Sequence, residues 1–198
     1  MKIYKATEID ELANILNNDG VIAVPTDTVY GLCAKMSSKK ARENLYRIKK
    51  RPLNNSLPIM CNNLEQIKSI AKVTELSEKI IKTFMPGPIT LVFLKGNNIP
   101  DFINVGSIEV GIRMATSKPL EELIEKVGCP IFMSSANLSG MPVCKSIEEI
   151  KNTFPNIDGI LEGEVSYGQA STIVDCTSDE IKIIREGPIT LEQIKNVI

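Results

Sequence analysis

Apolar residues recur along this chain in two rhythms. Over residues 8–18, Ile9, Leu12, Ala13 and Leu16 fall on one helical face, with Thr7 as the expected N-cap. Helical spacing returns over 39–49 with Ala41, Leu45 and Ile48, and over 75–84 with Leu76, Ile80, Ile81 and Phe84. A further helix is expected at 119–127, capped by Ser117. Asn63 with Gln66, Ser146 with Glu149 and Thr190 with Gln193 fit a capping box or its close variant, each opening a helix. The second rhythm is short and β-branched. Val21 to Val24 is an unbroken apolar run of the kind covered on both faces of a sheet, and strands are expected at 2–6, 21–25, 57–61, 89–95, 108–114, 129–134, 171–175 and 181–185. Helices alternating with short strands predict an α/β domain, a twisted mixed sheet with flanking helices. No linker or shift in composition divides residues 1–198, so one domain is expected. Gly-Pro-Ile-Thr occurs at 87–90 and 187–190 but leads into a strand once and a helix once, which reads as coincidence.

Polar residues cluster where the strands stop. Pro25 ends the first long ladder because it has no N–H to donate. Thr26, Asp27, Thr28 and Tyr30 then place three hydroxyls and a carboxylate at the strand's C-terminal end, where open α/β sheets bind ligands. Ile131 to Gly140 repeats that logic: an apolar strand runs into small hydroxyl and amide residues, with Ser135 and Asn137 as the expected contacts. At 49–52, Lys-Lys-Arg-Pro closes a basic helix. The residue before proline is pushed out of the helical region, so Lys49 ends the helix and Arg51 extends beyond it. With Lys49 and Lys50 both available for capping, a purely structural role for Arg51 looks redundant, and the loop from Pro52 to Ser56 brings Asn55 back towards the same place. Arg113 sits in a mostly apolar strand and requires an anionic partner, either an internal carboxylate or a ligand. Ser171 and Arg185 follow on later strands, and Gly168 to Ala170, the end of the 163–170 loop, reads as a mobile loop before them.

Composition narrows the chemistry. There is no histidine, which excludes histidine-based triads, an imidazole base and His-ligated metals. Positioning and fixed charge remain, and phosphoryl or nucleotidyl transfer is best served by them. Net charge is −1, yet the window from Lys35 to Arg51 carries eight Lys/Arg against Glu43 alone. A solvated helix face is the plain alternative for Lys39, Lys40, Arg42 and Arg47. The five cysteines are scattered, with no Cys-x-x-Cys pair, as for buried free thiols in a reducing compartment. No apolar stretch reaches the ~20 residues of a membrane span, and the first residues lack the pattern of a signal peptide, so a cytoplasmic location is expected. No Walker-type glycine loop is present. A module gripping RNA on its basic surface, without chemistry, is the competing class; overall negative charge and 5% aromatic residues weigh against it.

Taken in order, Pro-Thr-Asp-Thr-Val-Tyr-Gly-Leu (25–32), Lys-x-Arg-Pro (49–52), Pro-Gly-Pro-Ile-Thr (86–90), Gly-Ile-Arg (111–113), Ser-Ala-Asn-Leu-Ser-Gly (135–140), Ser-Thr-Ile-Val-Asp (171–175) and Arg-Glu-Gly (185–187) resemble the YrdC-like family of L-threonylcarbamoyl-AMP synthases. The resemblance implies a twisted mixed sheet around a large basic cavity, in a short single-domain form. It also implies conversion of L-threonine, bicarbonate and ATP to threonylcarbamoyl-AMP and pyrophosphate, for threonylcarbamoyladenosine in tRNA. Mg²⁺ would accompany the triphosphate, and tRNA or tRNA-modification proteins would be partners; no dedicated protein metal site is implied. By the same resemblance Thr28, Arg113 and Ser171 hold threonine. Lys49, Arg51, Asn55, Ser135, Asn137 and Arg185 hold the nucleotide, with Lys49 and Arg51 serving catalysis. Met60, Met133 and Val143 line the pocket. Three positions depart from the family pattern: Cys33 stands at a usual glycine, Ala115 at a common proline and Met60 at a frequent histidine. A paralogue with an altered substrate is the other alternative.

Overall fold

The computed structural model describes residues 1–165, 168–178 and 180–198. Seven helices are seen among these residues: α1 (Ile9–Asn17), α2 (Lys39–Lys49), α3 (Leu64–Ile70), α4 (Glu75–Phe84), α5 (Lys118–Val127), α6 (Ile147–Thr153) and α7 (Leu191–Lys195). Ten strands form one mixed sheet: β1 (Ile3–Tyr4), β2 (Ile22–Val24), β3 (Gly31–Lys35), β4 (Ile59–Cys61), β5 (Ile89–Leu94), β6 (Glu109–Met114), β7 (Ile131–Ser135), β8 (Gly159–Leu161), β9 (Thr172–Asp175) and β10 (Lys182–Arg185). Their spatial order is β1-β8-β2-β3-β7-β4-β6-β5-β9-β10. The long connections return parallel strands, as in β4 beside β6 and β5 beside β9, while β2 and β3 form an antiparallel pair.

Alternation along the central strands separates two cores. Val21, Ala23, Leu32, Ala34, Ile59, Cys61 and Phe132 face the first, with Leu45 and Tyr46 of α2, Ile80 and Ile81 of α4 and Ile150 of α6. Ile22, Val24, Cys33, Met60, Ile131 and Met133 face the second, beneath α1 and α5. Every residue of Val21–Val24 is fully buried, so the unbroken apolar run does mark a strand covered on both sides. Ser146 and Thr190 cap their helices as expected; Asn63 accepts from the Gln66 N–H while Gln66 Oε1 takes the Asn62 N–H.

Some elements differ from expectation. Residues 31–35, where no strand is expected from sequence, form β3, so the polar stretch 25–30 is the turn of a hairpin. The short β8 was also unread, and β1 stops at Tyr4 in favour of a 3-10 turn, Ala6–Glu8. Thr7 lies within that turn and does not cap α1; Glu8 takes the Lys5 N–H instead. Ser117 holds the N-cap position of α5 without a side-chain bond. Four cysteines are buried and Cys129 is partly exposed. No helix among the described residues is long and apolar enough to cross a membrane.

Candidate active site

α1 and α5 cover one part of their sheet face. Beyond them the same face carries Gly31 and Ser135, directly opposed in β3–β7, and Ile173, opposed to both Thr90 and Arg185. Directly opposed residues point the same way, so these strands together open a cavity of about 480 Å³. Thr26, Thr28 and Val29 of the β2–β3 turn, Arg51, Ser56 and Pro58 after α2, Arg113 of β6, Met133 to Ser135 and Asn137 after β7, Val143, and Ala170 and Ser171 complete its wall. Among the described residues, three arginines and no carboxylate line it.

Two glycines make the geometry possible. A Cβ on Gly31 would stand 2.3 Å from Met133 Sδ, and one on Gly187 would stand 2.3 Å from the Thr172 backbone nitrogen. Side chains there would push the cavity wall inward or lift the chain after β10 off Ser171.

Arg113 has its anion inside the fold. Nη2 lies 2.7 Å from Asp27 Oδ1 and Nη1 donates to Thr28 Oγ1 at 2.9 Å, with Gly87 O at 3.2 Å. Of the two partners open to it from sequence, the internal carboxylate is present. Asp27 is thereby drawn out of the ligand role that its place in the turn suggested, and Tyr30 likewise bonds the backbone at both Gly163 O and Gly163 N. Arg185 holds Ser171 O at 2.8 Å, and Ser171 Oγ is 2.8 Å from Thr90 Oγ1. Burial, and then the charge of Arg113, push the Arg185 guanidinium below its usual range. The two cations therefore share a region that an anion would relieve.

Of the residues proposed from sequence, Thr28, Arg51, Arg113, Met133, Ser135, Asn137, Val143, Ser171 and Arg185 line this one cavity. Three do not. Met60, level with Arg113 across β4–β6, is fully buried in the second core and forms no wall. Asn55 is exposed, and it is the Asn55 backbone carbonyl that turns inward, accepting from Arg51 Nε at 3.1 Å and Tyr46 Oη at 2.8 Å. Lys49 ends α2 as expected but is 1% exposed. Its Nζ donates to Ser135 O, to Asn137 O at 2.8 Å and to Asn137 Oδ1 at 3.4 Å, behind the cavity wall. Arg51 is no redundant extension either: Nη2 donates to Ser56 O at 2.7 Å, so it straps the 52–56 loop as well as facing the cavity. Thr90 was missed; its signal was a hydroxyl closing Pro-Gly-Pro-Ile-Thr at the start of an apolar strand. Part of the 163–170 loop, Ser166 and Tyr167, lies outside the described residues.

The basic window is not one exposed face. Lys39, Lys40 and Arg47 are exposed, but Arg42 and Lys49 are buried. Burial, and then Arg51, hold the Lys49 ammonium down to about 7. The unfolded chain keeps a lysine proton up to its ordinary value of 10.5. Between pH 7 and about 8, below the range in which the buried Cys33, Cys61 and Cys176 thiols would ionise on unfolding, Lys49 takes up a proton when the chain unfolds, and this makes stability rise with pH by at most ~1.4 kcal/mol per unit, levelling off below 7. Urea midpoints across this range should show that rise in the native protein, and a clearly shallower one in Lys49→Met. Equal slopes would mean that Lys49 titrates normally.

With the geometry in place, comparison with known proteins decides the family. The Sua5/YciO/YrdC family model, described as telomere recombination, matches residues 14–187. This chain belongs to the Sua5/YciO/YrdC family. Within it, a Pyrococcus abyssi threonylcarbamoyl-AMP synthase is 35% identical over 94% of this chain. A Photobacterium profundum protein of the same name is 29% identical over 90%. The chain spans 98% of the Photobacterium relative but only 56% of the Pyrococcus one. The crystal structure of Pyrococcus abyssi Sua5 complexed with L-threonine superposes on the whole chain with a TM-score of 0.93 at 33% identity, covering 61% of that protein. The mixed sheet and its flanking helices are thus those of the Sua5/YciO/YrdC fold.

Proposed function

We propose that this family member is an L-threonylcarbamoyl-AMP synthase, a nucleotidyl transferase joining threonine, bicarbonate and ATP. The observation that carries the reading is the convergence of Arg51, Arg113 and Arg185 with the hydroxyls of Thr28, Thr90, Ser135 and Ser171 around one cavity that no carboxylate lines among the described residues. Relatives named for this synthase and a threonine-bound neighbour support it.

The chemistry suits a site without histidine. The threonine amine combines with bicarbonate to give a carbamate and water. A carbamate oxygen then attacks the α-phosphorus of ATP, and the bond to the β-phosphate breaks, releasing pyrophosphate. The nucleophile is already an anion, so no strong base is needed at the attack. The protein's part is to hold two anions against their repulsion and to meet charge building on the leaving group. In this reading Arg113, Thr28 and Ser171 take threonine, with Asp27 fixing Arg113 in place. Arg51, Arg185, Ser135 and Asn137 take the nucleotide, and Lys49 supports the Ser135–Asn137 turn from behind. Met133 and Val143 form wall. Mg²⁺ would arrive with the triphosphate. Among the described residues no group of three or more Cys, Asp or Glu is placed to hold a metal, so phosphate oxygens and water would be its ligands. The product would serve tRNA modification in the cytoplasm.

With labelled threonine, pyrophosphate release should require both threonine and bicarbonate, and the label should appear in an adenylate. Equal release with either omitted would replace this reading by a plain ATPase.

A further inference from the structure

Arg51 is held through a neighbour that the reaction itself does not use. Tyr46 sits on α2, 2% exposed, with its ring in the first core. Its backbone carbonyl accepts the Arg51 N–H at 3.0 Å, just past the left-handed turn at Lys50. Its phenol donates to Asn55 O at 2.8 Å, and Arg51 Nε donates to that same carbonyl at 3.1 Å. A carbonyl oxygen has two lone pairs, so Tyr46 and Arg51 fill both sides of one acceptor. The Asn55 N–H closes on Pro52 O at 3.0 Å, completing a tight turn around this shared point. Arg42 fixes the ring in its turn: its guanidinium carbon lies 4.4 Å from the Tyr46 centroid, it is 6% exposed, and its Nε has no hydrogen-bond partner among the described residues. A buried cation resting on an aromatic face restricts that ring.

We propose that Tyr46 is a positioning residue for Arg51: its hydroxyl anchors the Asn55 carbonyl, and that carbonyl orients the guanidinium towards the cavity before any ligand arrives. With Nε and Nη2 committed to Asn55 O and Ser56 O, the fork keeps Nη1 for a phosphate oxygen and loses little conformational freedom on binding. Removing the hydroxyl alone leaves Asn55 O with its Arg51 bond, so no buried acceptor is orphaned and the fold is hardly weakened.

The inference rests on Arg51 as a phosphate ligand, and two readouts separate its failure from that reading's. Tyr46→Phe keeps the ring and the Arg42 stack. It should lower kcat/KM for ATP about five- to tenfold, the worth of one neutral hydrogen bond, with melting temperature nearly unchanged. In the Arg51→Ala background the same substitution should do nothing to the residual turnover. An equal loss in both backgrounds, no loss in either, or failure of Tyr46→Phe to fold would overturn the proposal and leave Tyr46 structural. The second readout needs no activity. By NMR, the Arg51 Nε–H should exchange with water more slowly than that of exposed Arg47, and Tyr46→Phe should accelerate it. Unchanged exchange overturns the positioning role even in an active enzyme. Slowed exchange that the phenylalanine relieves upholds it even if pyrophosphate release lost its need for threonine.

Discussion

Replacing Arg113 by leucine should both weaken the fold and abolish threonine-dependent pyrophosphate release. Arg113 and Asp27 form a nearly enclosed ion pair, 9% and 12% exposed at their side chains, with 2.7 Å between Nη2 and Oδ1. Losing the cation leaves the Asp27 carboxylate with Thr116 Oγ1 at 3.2 Å as its remaining side-chain partner. Breaking a buried pair from one side costs about 3–5 kcal/mol, because the orphaned charge stays behind. The double variant Asp27→Asn, Arg113→Leu removes that orphan and should regain most of the loss in urea midpoint. Activity should not return with it, since the guanidinium proposed to hold threonine is still absent. Loss of one preorganised charge contact corresponds to at least ~10² in turnover. Recovery of turnover alongside stability would show that Arg113 serves the fold alone. The Arg113 environment also carries Thr28 Oγ1 at 2.9 Å, so Thr28→Val should share part of the kinetic loss and, by leaving a buried guanidinium N–H without its acceptor, a smaller loss in stability of about 1–3 kcal/mol.

The elements legible in the sequence were those whose signals are local. Val21–Val24 announced itself by four consecutive buried side chains, and the Ser146 and Thr190 caps by a hydroxyl three residues before its partner. Pro52 placed the end of α2 and the departure of Arg51 from it. β3 escaped because Gly31-Leu-Cys-Ala-Lys35 has no β-branched residue and reads on from a polar turn; it is a strand through its neighbours β2 and β7 on either side. β8 is three residues long and exists by pairing with β1 and β2. The site followed the same division. Which residue types gather in the cavity was visible from the motifs in order. Which ones face inward was not, since that is set across the chain: Lys49 is bound by carbonyls of Ser135 and Asn137, and Arg113 by Asp27. A lysine at a helix end carries no mark of a turn 86 residues away that needs its ammonium.

Arg51→Ala should lower turnover by roughly 10²–10³, the usual loss for a charge contact that strengthens as the leaving group develops its charge. Arg51 lines the cavity while its Nε and Nη2 strap Asn55 O and Ser56 O. That strap raises the question of whether the loss is structural. Asn55 and Ser56 are both exposed, so water can replace the guanidinium at their carbonyls. Tyr46 Oη retains one of them. The stability change should therefore stay within about 1 kcal/mol, the net worth of hydrogen bonds exchanged with solvent. Arg51→Lys separates charge from geometry. An ammonium keeps the charge but cannot bridge two loop carbonyls and still present a planar fork to a phosphate. It should recover at most about a tenth of the wild-type rate, a deficit of ~1.4 kcal/mol. Single-turnover pyrophosphate release at saturating threonine and bicarbonate measures both variants, with urea midpoints read on the same preparations. Near-native turnover in the alanine variant would leave Arg51 as the strap of the 52–56 loop and move the leaving-group charge to Arg185. A full rescue by lysine would mean that charge alone, without the fork, does the work.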